Sequence, residues 1–501
     1  MESQSPIESI VFTDSCHPSQ QENKFVQLIS DQKIAIVPKF TLECGDILYD
    51  VPVAFKTWGT LNKEGNNCLL LCHALSGSAD AGDWWGPLLG PGRAFDPSHF
   101  FIVCLNSLGS PYGSASPVTW NAETHSVYGP EFPLATIRDD VNIHKLILQR
   151  LGVKQIAMAV GGSMGGMLVL EWAFDKEFVR SIVPISTSLR HSAWCISWSE
   201  AQRQSIYSDP KFNDGYYGID DQPVSGLGAA RMSALLTYRS KCSFERRFAR
   251  TVPDASRHPY PDRLPTPLTP SNAHWVVHNE GNRNRRERPC RSNGSSPTSE
   301  SALNSPASSV SSLPSLGASQ TTDSSSLNQS SLLRRPANTY FSAQSYLRYQ
   351  AKKFVSRFDA NCYISITKKL DTHDITRGRG SDSPKEVMKD LSLPVLVLGI
   401  ESDGLFTFDE QVEIAKSFPN ATLEKIISAE GHDGFLLEFT QVNSHIQKFQ
   451  KEHLIDIMSQ TNSFERLDSQ VNDTNRESVF GEMEDITSCY PTGYHPGVTV
   501  V

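Results

Sequence analysis

Ile156-Ala157-Met158-Ala159-Val160-Gly161-Gly162-Ser163-Met164-Gly165-Gly166-Met167 passes from an unbroken apolar run through G-x-S-x-G into a stretch of helical character, Met167–Phe174. A five-residue apolar run reads as a strand buried on both faces. The turn from such a strand into a helix is tight, so small residues are needed on both sides of its central residue. The serine hydroxyl is then held clear of the backbone at a helix N-terminus, where the local dipole favours developing negative charge. A plain glycine-rich turn is the competing reading. The strand before and the helix after favour a nucleophile at Ser163.

Short and nearly continuous apolar runs recur on both sides of this stretch, at Cys68–Cys72, Phe100–Leu105, Ile182–Ile185 and Pro394–Gly399. Between them lie helical stretches such as Ile137–Leu151, with Val141, Ile143, Leu146, Ile147 and Leu151 at helical spacing. Buried strands alternating with helices predict an α/β fold with a mostly parallel sheet covered by helices. Lys39–Trp58 adds two or three strands, with turn signals at Cys44-Gly45-Asp46 and Tyr49-Asp50.

A serine is a poor nucleophile at neutral pH unless a base takes its proton and a carboxylate orients that base. In the α/β-hydrolase order, Ser precedes the acid and the acid precedes His. Two late segments meet that order. Leu396–Ile400 is a buried run ending in Glu401-Ser402-Asp403, and Ser428–Leu436 holds Gly431-His432-Asp433-Gly434 after the run Leu423–Ile427. Asp403 is the preferred acid, with Glu401 the alternative closer to the strand, and His432 is the preferred base. The oxyanion of an acyl-transfer intermediate needs N–H donors. Met164, next to the nucleophile, supplies one; Leu75, in the loop His73-Ala74-Leu75-Ser76-Gly77 after an early strand, is expected to supply the other. The His73 side chain is read as ordering that loop. No metal ligand set is assigned.

Composition narrows the function classes. The chain has 501 residues, 39% apolar and 20% charged, a net charge of -9 and a mean hydropathy of -0.33. Mild acidity argues against general nucleic-acid binding. The longest apolar run, Leu391–Ile400, is far short of the ~20 residues that span a bilayer. No apolar signal segment opens the chain, its first arginine is Arg93, and no C-x-x-C pair occurs among its 10 cysteines; reduced thiols in the cytoplasm are the expectation. The apolar fraction is diluted mainly by 251–335: Arg283, Arg285, Arg286 and Arg288 form a basic cluster, and 291–330 hold 16 serines in 40 positions without an aromatic residue. Such a segment cannot bury enough apolar surface to order itself. The organisation read from these shifts is a loose leader (1–35), a first core part (36–187), a helical segment (188–385) carrying the disordered insertion (251–335), a second core part (386–455) and a loose tail (456–501).

The segments around Cys72-His73-Ala74-Leu75-Ser76-Gly77, Asn106-Ser107-Leu108-Gly109-Ser110, Ile137-Arg138-Asp139-Asp140-Val141, Ser163, Ala230-Arg231-Met232, Tyr346–Tyr363 and Glu430–Glu438 together resemble homoserine O-acetyltransferases of the α/β-hydrolase superfamily. The insertion and both tails depart from the compact bacterial pattern and resemble the fungal form. The resemblance implies an α/β-hydrolase core with a helical lid at 188–385. It implies an acetyl group passing from acetyl-CoA, a co-substrate and not a permanently bound cofactor, through Ser163 to the side-chain hydroxyl of L-homoserine, on the route to methionine. Arg231 and Tyr238 match the family's carboxylate-binding positions; their seven-residue separation is two helical turns, so both can face one site. Asp433 matches the position that meets the substrate ammonium. A homodimer through the lid is implied as well, with neither nucleic acid nor membrane as partner. Spacing alone leaves open a succinyl donor, L-serine or a larger alcohol such as a deacetylcephalosporin as acceptor, and simple ester or thioester hydrolysis.

Overall fold

Cys68–Cys72, Phe101–Leu105, Ile156–Gly162, Ile182–Ile185 and Val395–Ile400 are strands in which every residue is buried, as runs apolar on both faces require. The computed structural model describes residues 7–253, 274–275, 277–282 and 340–459. Two compact units are distinguished, 1–251 with 342–501, and 252–341. In the second, the described residues include a helical turn whose Trp275 carbonyl accepts from the Asn279 N–H at 3.0 Å.

In chain order the strands are β1 (Val11–Thr13), β2 (Lys33–Thr41), β3 (Ile47–Trp58), β4 (Cys68–Cys72), β5 (Phe101–Leu105), β6 (Trp120–Asn121), β7 (Ser126–Val127), β8 (Ile156–Gly162), β9 (Ile182–Ile185), β10 (Val395–Ile400) and β11 (Ala421–Ile426). Nine of them form one sheet in the order β1-β2-β3-β5-β4-β8-β9-β10-β11; β6 and β7 pair separately. β1, β2, β3 and β5 are joined by antiparallel pairings. From β5 through β4, β8, β9 and β10 to β11 every pairing is parallel. The carboxyl ends of β4, β8, β10 and β11 therefore lie along one edge, where open α/β sheets place their ligands.

Helices cover this sheet: α1 (Ala81–Trp85), α2 (Ile137–Arg150), α3 (Met164–Trp172) and, late in the chain, Phe408–Ser417 and Phe439–His453. α2 begins where Thr136 accepts the Asp139 N–H at 3.1 Å and the Asp139 carboxylate accepts the Thr136 N–H at 2.8 Å, a reciprocal cap. α3 is buried along its whole length and starts at Met164, one residue after the candidate nucleophile.

Between β9 and β10 the described elements are helical: α4 (Ala193–Tyr207), α5 (Val224–Tyr238), α6 (Lys241–Arg247), then Ser342–Val355, Ala360–Asp371 and Pro384–Met388. They belong to the same compact unit as the sheet. One tie is the buried pair Lys369–Asp140, 2.5 Å apart at 1% and 0% side-chain exposure. Lys369 also donates to the Leu108 carbonyl at 2.7 Å, and Asp140 accepts the Leu108 N–H at 2.8 Å. The charges are thus satisfied by each other and by one backbone loop, as burial demands.

Three expectations change. The leader is packed where it is described: β1 pairs with β2, Ile10, Phe25 and Val26 are buried, Gln20 donates to the Gly113 carbonyl at 3.2 Å, and Asn23 donates to that of Pro111 at 2.8 Å. Its order comes from polar side chains bonding distant backbone, which leaves no periodicity to read. β2 starts at Lys33, and β3 runs through Tyr49-Asp50 without a turn; Asp50 only bends it, at φ 48°. The tail's first residues, from Asp456, continue the helix Ile455–Met458, and Arg180 grips Asp456 through two 2.7 Å contacts. The remaining tail, the Arg283–Arg288 cluster and the Ser-rich stretch lie outside the described residues.

Candidate active site

Ser163 sits between β8 and α3 with φ 58° and ψ -125°, a conformation an L-residue adopts only when its surroundings enforce it. The enforcement is visible. Its N–H donates to the Ile185 carbonyl at 3.0 Å, and its own carbonyl accepts from the Thr187 hydroxyl at 2.8 Å and the Gly166 N–H at 2.9 Å. Gly165 is required by close approach, since a Cβ there would stand 2.0 Å from the Cys72 carbonyl oxygen. That contact lays the end of β4, and the loop that follows it, directly against the start of α3.

The loop after β4 carries Leu75, and the first turn of α3 carries Met164, whose N–H precedes the first intrahelical acceptor. His73 fixes the loop from within. Its Nε2 accepts the Ser107 N–H at 2.9 Å, which leaves the proton on Nδ1 to donate to the Ala74 carbonyl at 2.8 Å. Burial holds this imidazole neutral, its pKa pushed down to about 4.

Asp403 follows β10 and His432 follows β11. The Asp403 Oδ2 is 2.8 Å from His432 Nδ1, both side chains being almost fully buried. The other carboxylate oxygen accepts the N–H groups of Leu405 and Phe406 at 2.8 and 3.0 Å. Glu401 does not face the histidine: its side chain is 64% exposed and paired with Lys425. The Ser402 hydroxyl donates to the Ser428 carbonyl at 2.8 Å and accepts the Gly431 N–H at 3.0 Å, joining the acid turn to the histidine loop. Phe406 and Phe435 pack on the His432 ring with centroids at 5.4 and 5.3 Å. Phe435 also packs against the Gly162 backbone, so the serine turn and the histidine loop converge on one ring.

The helical segment contributes the remaining candidates. The Tyr238 ring lies 6.0 Å from that of His432. The Arg231 guanidinium stacks over Tyr238 at 5.4 Å and over Phe354 at 4.8 Å, with the residue only 1% exposed. Rings on a buried guanidinium hold its plane and limit its rotamers. Asp433 is in ion-pair contact with Arg239 Nε at 2.6 Å. Arg239 and its partner Glu430 escaped the sequence reading; so did the aromatic pair around His432, whose only sequence signal is nearness to the acid and the base. Among the described residues, no cluster of His, Cys, Asp or Glu has the makings of a metal site, and no helix is long and apolar enough to cross a membrane.

Such a constellation serves acyl transfer and hydrolysis alike. Residues 67–275 match the family model of the α/β hydrolase fold. An esterase, E22, has a TM-score of 0.60 at 21% identity, covering 84% of this chain and 99% of its own. A homoserine O-acetyltransferase from Bacillus anthracis has a TM-score of 0.61 at 20% identity, with coverages of 86% and 98%. Those likenesses establish the fold. Sequence goes further: a homoserine O-acetyltransferase of Emericella nidulans is 57% identical over 488 residues, spanning 94% of this chain and 97% of its own length. At that identity over nearly the whole length, the chain is an acyltransferase and belongs to the homoserine O-acetyltransferase family.

Proposed function

We propose that this enzyme moves the acetyl group of acetyl-CoA to the side-chain hydroxyl of L-homoserine through an acetyl ester on Ser163. The observation that carries the chemistry is the 2.8 Å contact between Asp403 and His432 Nδ1. An ionised carboxylate accepts only, so Nδ1 carries the proton and the Nε2 lone pair is left to act as base. His432 takes the Ser163 hydroxyl proton as the oxygen attacks the thioester carbonyl. The carbon–sulfur bond breaks and the proton leaves with the thiolate of coenzyme A. Homoserine then gives its hydroxyl proton to His432 and attacks the acetyl ester; the bond to Ser163 breaks and the serine regains a proton. In both halves the N–H groups of Met164 and Leu75 face the negative oxygen.

Selection of the acceptor falls to Arg231 and Tyr238 for the carboxylate and to Asp433 for the ammonium. A buried arginine offers a planar fork to a carboxylate, which water cannot imitate. That difference, with helices limiting solvent access, favours transfer over hydrolysis. A homodimer through the helical segment is part of the same reading, supported by Leu236 and Tyr349, 52% and 50% exposed on helices of that segment. Light scattering of the purified chain tests it. A cytoplasmic setting is supported by the free thiols of Cys68, Cys72 and Cys104. The function itself is tested by following free thiol from acetyl-CoA with and without homoserine: release that ignores homoserine contradicts it.

A further inference from the structure

The catalytic histidine is flanked by two acids that one arginine holds together. Glu430 and Asp433 stand on either side of His432, and Arg239 follows directly after α5. Arg239 Nε is 2.6 Å from Asp433 Oδ2, and its Nη1 is 2.9 Å from Glu430 Oε2. Glu430 is an anchored partner: the same oxygen receives Arg247 Nη2 at 2.9 Å and the Ser243 hydroxyl at 2.5 Å, both from α6. Burial alone would raise the Glu430 carboxyl; the Ser243 hydroxyl and the two guanidiniums outweigh it and hold it below its ordinary value. The backbones meet as well. The Ser240 hydroxyl donates to the Ala429 carbonyl, and a Cβ on Gly431, at φ 74°, would lie 2.6 Å from the Ser240 nitrogen. The α5–α6 turn and the histidine loop are thus one bolted junction.

A buried ion pair is weak evidence of stability, because apolar side chains of similar volume fill such a junction at no loss. What an apolar junction cannot do is orient a carboxylate. The Arg239 side chain is 3% exposed and that of Asp433 5%, so their contact is little screened by solvent. We propose that Arg239 is a positioning residue for acceptor specificity: held by Glu430, it keeps the Asp433 carboxylate in one place for the acceptor's ammonium group, beside the base. This rests on the reading of Asp433 given above. Arg239 touches no reacting atom.

The test uses Arg239→Lys, which keeps the buried positive charge but cannot reach both carboxylates with a planar fork, alongside Glu430→Gln and wild type. The expected result is a homoserine KM raised roughly tenfold or more in Arg239→Lys, the range of a lost charge-assisted hydrogen bond. The kcat and the first burst of thiol from acetyl-CoA change by less than about threefold, and Glu430→Gln shifts KM in the same direction. An unchanged homoserine KM in a wild-type-active background overturns the role of Arg239. So does an equal loss in burst and acceptor steps, which marks a structural defect of the His432 loop. Wild-type protein that releases thiol without regard to homoserine overturns the underlying acceptor reading instead.

Discussion

Asp403 Oδ2 and His432 Nδ1 lie 2.8 Å apart, while the second oxygen of Asp403 is occupied by the N–H groups of Leu405 and Phe406. The carboxylate therefore has one oxygen committed to backbone donors and one to the imidazole. In Asp403→Asn the amide oxygen stays with those donors and its NH₂ faces Nδ1. That forces the proton onto Nε2 and removes the base without dismantling the site. The expected loss in kcat is about 10⁴-fold, with near-wild-type thermal stability. Steady-state rates and a melting curve check it; a small loss in rate would mean that His432 is not the base.

Ser163 carries its backbone strain in the turn that holds its hydroxyl clear of the chain. At φ 58° and ψ -125°, alanine keeps the strain and glycine relieves it. Both Ser163→Ala and Ser163→Gly are expected to lose roughly 10⁴-fold or more in transfer. Ser163→Gly is expected to be the more stable by about 1–3 kcal/mol. Equal denaturation midpoints for the two variants would show the turn to be unstrained.

Arg231 is stacked against Tyr238 and Phe354. Arg231→Lys loses both the planar stack and the bidentate fork. The homoserine KM is expected to rise by roughly one to two orders of magnitude, with thiol release from acetyl-CoA in the absence of homoserine much less affected. Equal damage to both halves of the reaction would place Arg231 in the scaffold and not in the acceptor site.

The buried imidazoles set the acid limit of stability. Burial pushes His73, His144 and His373 down to about 4 from an ordinary 6.5. Between those values the unfolded chain binds protons that the folded chain refuses, so stability falls as pH drops from about 6.5 toward 4. Each histidine contributes at most about 1.4 kcal/mol per pH unit in that window. Glu410, pushed up to about 7 by burial, works the other way and gains stability as pH falls toward 4.5, but it is one group against three. Glu171 and Glu430, held below their ordinary values against the pull of burial by hydrogen bonds and guanidinium charges, add a further loss only at lower pH. Denaturant unfolding at pH 7 and pH 5 is expected to show lower stability at pH 5; equal or greater stability there contradicts the buried, neutral state of these rings.

Much of this architecture is legible in the chain itself, for a physical reason. Strands buried on both faces leave unbroken apolar runs, and β4 and β9 fall on the residues those runs predict. A strand-to-helix turn around a serine needs small neighbours, which makes Gly161–Gly165 readable. The N-terminal packing left no such trace, because Gln20 and Asn23 act through backbone carbonyls of Gly113 and Pro111, far along the chain. The Arg239–Glu430 contact spans 191 residues and involves types common on any surface. Only the folded geometry distinguishes it.

In the proposed mechanism acetyl transfer runs through Ser163 to homoserine. Its most direct test mixes the enzyme with acetyl-CoA, first alone and then with homoserine, following free thiol and the acetylation state of Ser163. The expected result is a burst of thiol matched by acetyl-Ser163 when homoserine is absent, then discharge of that ester into O-acetylhomoserine with sustained thiol release when it is added. Thiol release at the same steady rate with and without homoserine, or acetyl-homoserine formed by Ser163→Ala at the wild-type rate, would contradict it.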